Sequence, residues 1–237
     1  MKHILRLFLA VTMLLVTTAA NAAERRAQVT FTTTEGTIVV ELYNETPLHR
    51  DNFLLQVKNH LYDGVLFHRV INEFMIQGGD PVSKDAKPGD MLGEGTDTPD
   101  EWLPAEFRVP EFYHVRGSLA AAREGDGVNP EKKSSPQQFY IVTGRTFTDA
   151  QLDGLQQRIT QMTRGAVTLT PEMREAYRTV GGAPHLDGSY TVYGRVIEGM
   201  DIVDRIQRVD TDANDRPLQD IRILKAKVTK KYKKVRK

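Results

Sequence analysis

Between Ala27 and Leu42 (AQVTFTTTEGTIVVEL) apolar and polar residues alternate, with a single break at Glu35-Gly36. Strand side chains alternate faces with a period of two. Val29 and Phe31 on one arm, and Ile38, Val40 and Leu42 on the other, therefore predict a β-hairpin with one buried face. The period then lengthens. Thr46-Pro47 supplies an N-cap and a proline at the first helical position, and Leu48, Phe53, Leu54, Val57 and Leu61 follow at helical spacing to an end near His60. Alternation resumes in Phe67–Pro81 (FHRVINEFMIQGGDP), with Phe67, Arg69 and Ile71 predicted on one side and His68, Val70 and Asn72 on the other. After a break at Asn72-Glu73, Phe74 to Gln77 reads as a second short strand, stopped by the turn residues Gly78-Gly79-Asp80-Pro81. A cation, Arg69, and an amide, Gln77, stand among residues expected to be buried, where polar groups need partners or a purpose.

Further on, 81–109 is loop-like, His114 to Ala122 resumes a strand, Gly125 to Pro136 is a polar loop and Gln138 to Val142 is another strand. Residues 146–182 differ in character. Thr148-Asp149-Ala150-Gln151 has a capping-box pattern ahead of Leu152, Leu155, Ile159 and Met162, and Thr170-Pro171 opens a second helix with Met173, Ala176, Tyr177 and Val180, ended by Gly181-Gly182. The pair reads as a helical insertion between strands. Tyr190 to Val196 is predicted as a strand, Met200 to Ile206 as a short helix and Ile221 to Val228 as a closing strand, giving around eight strands and two main helices besides the inserted pair.

The 237 residues, 40% hydrophobic and 27% charged, suit one globular domain with a sizeable core. Formal net charge is only +1, so the chain as a whole does not advertise a nucleic-acid partner. Its distribution is uneven: eight of the last thirteen residues (KAKVTKKYKKVRK) are cations and none is acidic, which leaves the body acidic. Residues 1–22 read as a secretory signal peptide, with Lys2 and Arg6, an apolar run from Leu7 to Val16 and the A-x-A site Ala20-Asn21-Ala22. The alternative, a membrane anchor, is short and interrupted by Thr12, Thr17, Thr18 and Asn21. The chain has no cysteine, which with the leader points to the bacterial periplasm. The six histidines lack metal-ligand spacing, and the acidic residues of the 81–109 loop do not match an EF-hand, so no metal is expected. Gly78-Gly79 is followed by neither a Lys-Ser/Thr pair nor a helix, so it reads as a turn rather than a phosphate loop.

Phe67–Pro81 resembles the active-site signature of the cyclophilins, the barrel-shaped peptidyl-prolyl cis/trans isomerases. Gly117–Ala122, Ser135–Ile141, His185-Leu186-Asp187-Gly188 and Val192–Asp201 also resemble family segments, in the order the family requires. The resemblance covers about 28–145 and 183–229, so the expected layout is a leader over 1–22, an isomerase domain over 23–229 with the 146–182 insertion, and a basic tail over 230–237. The implied fold is mainly β, a closed eight-stranded antiparallel barrel capped by two helices. By resemblance, Arg69 is the catalytic cation, with Phe74 in the catalytic set and Gln77 orienting Arg69. Met75, Tyr140 and Leu186, with Phe74, line the proline pocket, and Ala122, Arg123 and Gln138 bind the peptide backbone. His68 and Tyr190 are counted with the substrate-binding residues, although strand alternation turns His68 to the opposite face, where a packed histidine is the commoner role. The chain departs from the family at Tyr140 (Phe in the family), His185 (Trp), Tyr190 (His) and Arg123 (often Asn).

The implied activity is acceleration of X–Pro rotation in exported proteins, without a cofactor. The partners are proline-containing peptides and unfolded exported chains, and the protein is expected to act as a monomer. The tail's cations point to a weak contact with an anionic surface. A second class stays open at this stage: a module that only holds clients, using Met162, Met173 and Tyr177 of the inserted helices, unless these pack against the barrel.

Overall fold

The computed structural model describes residues 25–232; the expected leader and the last five residues of the basic tail lie outside the described residues. The first hairpin forms as β1 (Ala27–Thr33) and β2 (Gly36–Leu42), paired from Ala27–Leu42 to Thr33–Gly36. The signature stretch forms β3 (Arg69–Ile71) and β4 (Met75–Gly78), and the remaining strands are β5 (Ser118–Ala121), β6 (Phe139–Val142), β7 (Val192–Glu198) and β8 (Ile223–Lys230). All join one antiparallel sheet in the order β3-β4-β6-β5-β7-β2-β1-β8.

The expected closed barrel is corrected here: the sheet curls into a half-barrel, and its two ends, β3 and β8, do not pair as strands. The chain just ahead of each comes together instead. Phe67 donates its N–H to the Ile221 carbonyl (2.9 Å) and Ile223 donates to that of Val65 (2.8 Å). A three-residue β3 is too short to carry a ladder across the seam, so irregular backbone satisfies these polar groups.

The sheet's inner face packs Val29, Phe31, Ile38, Val40, Leu119, Phe139 and Ile141 around an aromatic centre, with the Phe31 and Phe139 rings stacked at 5.5 Å. α1 (Pro47–Lys58) covers it through His49, Arg50, Phe53 and Val57. The expected apolar face is shifted: Leu48 is exposed and His49 buried. Glu106, from a distant loop, accounts for this by accepting hydrogen bonds from the N–H groups of Leu48 (3.2 Å) and His49 (3.0 Å) and lying 2.7 Å from His49 Nδ1. A carboxylate thus caps the helix's positive end, while Thr46 makes no side-chain cap.

The insertion folds as α2 (Asp149–Met162) and α3 (Pro171–Thr179), with Thr148 and Gln151 bonded reciprocally as a capping box. Leu152, Ile159, Met173 and Tyr177 form its own small core with Val167 and Leu169. Of the residues considered as a client surface, Met173 and Tyr177 are therefore buried and only Met162 is exposed. α4 (Met200–Ile206) packs against the inner face. β8 runs through Lys230, and Tyr232 beyond it packs its ring on the Arg50 guanidinium at 3.9 Å. Among the described residues no helix is long and apolar enough to cross a membrane.

Candidate active site

Register across the sheet assembles the site. Arg69 on β3 pairs with Gln77 on β4, Gln77 with Tyr140 on β6, and Tyr140 with Ala120 on β5. Paired residues share a face, so these four side chains form one row roughly 14 Å long on the outer side of the half-barrel. The neighbours along each strand, Ile76, Phe139, Ile141 and Leu119, face the inner core. β4, β5 and β6 are thus covered on both faces, which is why their sequences read as nearly continuous apolar runs.

Above this row lies a cavity of about 170 Å³. Phe74, Met75, Tyr140 and Leu186 supply its apolar walls, Ala122 and Tyr190 close one side, and Arg69, Gln77 and Arg123 stand at its polar edge. Ten of the eleven residues singled out from the sequence therefore sit in or beside one depression, since Gln138 lines an adjoining hollow with Gln77, Ala122 and Arg123. His68 is the exception. It is 3% exposed and absent from the cavity wall, and a Cβ at Gly93 would touch its ring. Burial lowers its pKa to about 4, with the Asp80 carboxylate pulling the other way. A substrate-binding role for His68 is corrected to a packed position behind the site.

Arg69 is not buried as its sequence context suggested; its side chain is 43% exposed at the cavity mouth. Its Nε donates to Asp215 Oδ2 at 3.4 Å, and the Asp215 carbonyl accepts from the Val70 N–H at 2.8 Å. Asp215 is a site residue that no local pattern signals, because it lies 146 positions away in a turn where its φ is +62°. Gln77 was expected to orient Arg69. Its amide instead donates to Gln138 Oε1 (2.9 Å), and the Gln138 amide donates to the Gly93 carbonyl (2.7 Å). Arg123 is also fixed: it donates to the Ser189 carbonyl (2.7 Å), pairs with Asp126 (2.7 Å) and lies over the Tyr190 ring at 4.4 Å. Its guanidinium is part of the wall.

Behind the pocket runs a buried polar chain. Tyr140 Oη lies 2.9 Å from His114 Nε2, His114 Nδ1 lies 2.8 Å from Asp187 Oδ1, and Tyr177 of α3 donates to Asp187 Oδ2 at 2.6 Å. Burial holds the Tyr140 and Tyr177 phenols well above their ordinary pKa, so both remain hydrogen-bond donors. With Asp187 accepting from Nδ1–H, Nε2 is left to accept the Tyr140 proton. The hydroxyl that distinguishes Tyr140 from phenylalanine is thus turned away from the cavity, and the ring alone lines it. Among the described residues no group of three or more His, Asp or Glu is placed to hold a metal ion.

The family described as "Cyclophilin type peptidyl-prolyl cis-trans isomerase/CLD" matches residues 28–228, insertion included. A putative peptidyl-prolyl cis-trans isomerase of Staphylococcus saprophyticus is 34% identical over 174 residues, covering 73% of this chain and 76% of that protein. A putative bifunctional phosphatase/peptidyl-prolyl cis-trans isomerase of Streptococcus pyogenes is 34% identical over 197 residues, and the match spans 82% of this chain but only 37% of that longer protein. The crystal structure of a cyclophilin type isomerase of Cryptosporidium parvum superposes with a TM-score of 0.62 at 22% identity, covering 87% of this chain and 99% of its own, and a second structure of it was obtained in the presence of the dipeptide Ala-Pro. The sequence match across the whole sheet and the shared fold lead to one conclusion: the chain belongs to the cyclophilin-type peptidyl-prolyl cis-trans isomerases.

Proposed function

We propose that the cavity above the Arg69 row takes a prolyl ring and that Arg69 stabilises the twisted X–Pro amide. The X–Pro bond is nearly balanced between cis and trans, but amide resonance sets a barrier of about 18–20 kcal/mol. No bond need break. The protein has only to bind the twisted amide better than either planar form. On twisting, the prolyl nitrogen becomes pyramidal and its lone pair can accept a hydrogen bond, which a guanidinium donates while staying charged at every relevant pH. A thousandfold acceleration requires about 4 kcal/mol, within the range of one preorganised donor once a bound prolyl ring displaces water from the cavity.

The observation that carries this reading is the state of Arg69. Nε is held by Asp215 while, among the described residues, neither terminal Nη has a hydrogen-bond partner, and the guanidinium stands at the mouth of the cavity walled by Phe74, Met75, Tyr140 and Leu186. An isomerase structure obtained in the presence of Ala-Pro, on the same fold, supports a prolyl ligand here. The test is isomerisation of a short X–Pro peptide by the purified protein beside Arg69→Ala. The variant is expected to fold and to lose about a hundredfold or more in kcat/KM. Near-normal turnover by folded Arg69→Ala would overturn the assignment.

The natural clients are proposed to be exported proteins, on the strength of the signal-like sequence of residues 1–22 and the absence of cysteine. Fractionation of the producing cells tests this: the processed protein should appear outside the cytoplasm, and an unprocessed cytoplasmic protein would dismiss it.

A further inference from the structure

On one side of the proline cavity the insertion builds a second groove, of about 600 Å³, that shares Phe74 with it. Phe147, Ala150 and Leu155 extend its apolar floor, while Arg145 and Arg158 stand on its rim. Both arginines are exposed, and among the described residues neither has an ion-pair partner; Arg145 lies over the Phe147 ring at 4.6 Å. Among the described residues that line the groove Glu73 is the one carboxylate, against two arginines, so their net charge is positive. His185, which also lines it, keeps an exposed edge, and partial desolvation lowers its pKa, so the ring adds no charge to the groove at pH 7.

Position fixes what can reach this groove. Phe74 lies in the turn just ahead of β4 and Gln77 three residues on, near the other end of that strand, about 10 Å away along the chain. The Gln77 end opens onto the hollow of Ala122, Arg123 and Gln138, and the Phe74 end opens onto the inserted helix. A peptide whose proline fills the cavity has one flank over each. Resting on the prolyl-pocket reading above, we infer that the 146–182 insertion forms a specificity subsite for the second flank of the same proline-containing client, selecting an acidic side chain within a few residues of the proline. The apolar floor takes the stem of that side chain, and Arg145 and Arg158 take its carboxylate.

The experiment uses two sets of X–Pro peptides, carrying Glu, Ala or Lys either after or before the proline. Each is measured for kcat/KM and, by fluorescence anisotropy, for Kd. The wild-type protein should favour Glu over Lys by about three- to tenfold in one set, and 0.5 M salt should flatten the preference. The charge-reversed R145E/R158E protein should lose or invert it, and the neutral R145Q/R158Q protein should abolish it, which separates a charge effect from a folding defect. Equal treatment of Glu and Lys in both sets, or a preference that survives in R145E/R158E, overturns the subsite. Charge-selective binding without turnover would overturn the catalytic reading and leave the subsite standing.

Discussion

At the scale of single residues, the site depends on donors held still by partners far away in sequence. Asp215 fixes Arg69 through Nε alone. Removing it leaves the charge in place but frees the fork, so Asp215→Ala is expected to lower kcat about tenfold with little change in KM, as for a positioning residue. A change confined to KM would show that Asp215 serves binding instead. Arg69→Lys keeps a cation without a planar fork, and is expected to recover less than a tenth of wild-type turnover. Tyr140 tests the opposite expectation. Its hydroxyl is committed to His114, so Tyr140→Phe should cost about 1–2 kcal/mol of stability, from an unsatisfied buried Nε2, while turnover stays within about threefold. A tenfold loss of turnover at unchanged stability would place the hydroxyl in the reaction. The identity of the pocket residues was legible in the stretch FHRVINEFMIQGGDP and its companions. Their partners Asp215 and His114 were not, because hydrogen bonds across 146 and 26 positions leave no local periodicity.

At the scale of elements, periodicity and capping chemistry located nearly every strand and helix. α4 matches its expected span, and Thr148–Gln151 makes the capping box its spacing implied. The α1 face differs from the one helical spacing predicts: spacing favours Leu48, whereas Glu106 holds His49 inward and caps the helix from outside it. Burial pushes the Glu106 carboxyl up, but the hydrogen bonds from His49 and Leu48 outweigh this and hold it below its usual range. The insertion is tied to the pocket by Tyr177, whose hydroxyl reaches Asp187 behind Tyr140. Tyr177→Phe should destabilise the protein by about 1–3 kcal/mol. Amide exchange should quicken in 149–179 more than in β1 and β2, since the helices keep their own small core but lose their polar tether. Uniform loss of protection across the sheet would show that the insertion is not a separate unit. Gly182 marks the same junction: with φ at +158°, a Cβ there would run into the His114 carbonyl, leaving no room for a side chain.

At the scale of the whole molecule, burying neutral His68 links stability to pH. Its folded pKa of about 4 lies below the unfolded value near 6.5, so between these limits the unfolded chain binds more protons and stability falls as pH drops. The contribution is fully present above pH 6.5 and lost as pH falls to about 4, on the order of 3 kcal/mol. His68→Leu should flatten that part of the urea-midpoint profile; a profile parallel to wild type would show that His68 is not the titrating group. By itself the sequence determined the elements, the family and the set of residues that gather at the pocket, because strand period, helix caps and short motifs are local properties written in consecutive positions. Tertiary structure alone decided that the sheet remains a half-barrel with a seam and that Arg69 is half-exposed on Asp215 while His68 is sealed away. It also decided that the inserted helices abut the cavity beside Arg69. Each of these depends on the register between distant strands and on which polar groups find partners once the sheet curls, and no stretch of neighbouring residues encodes such pairings.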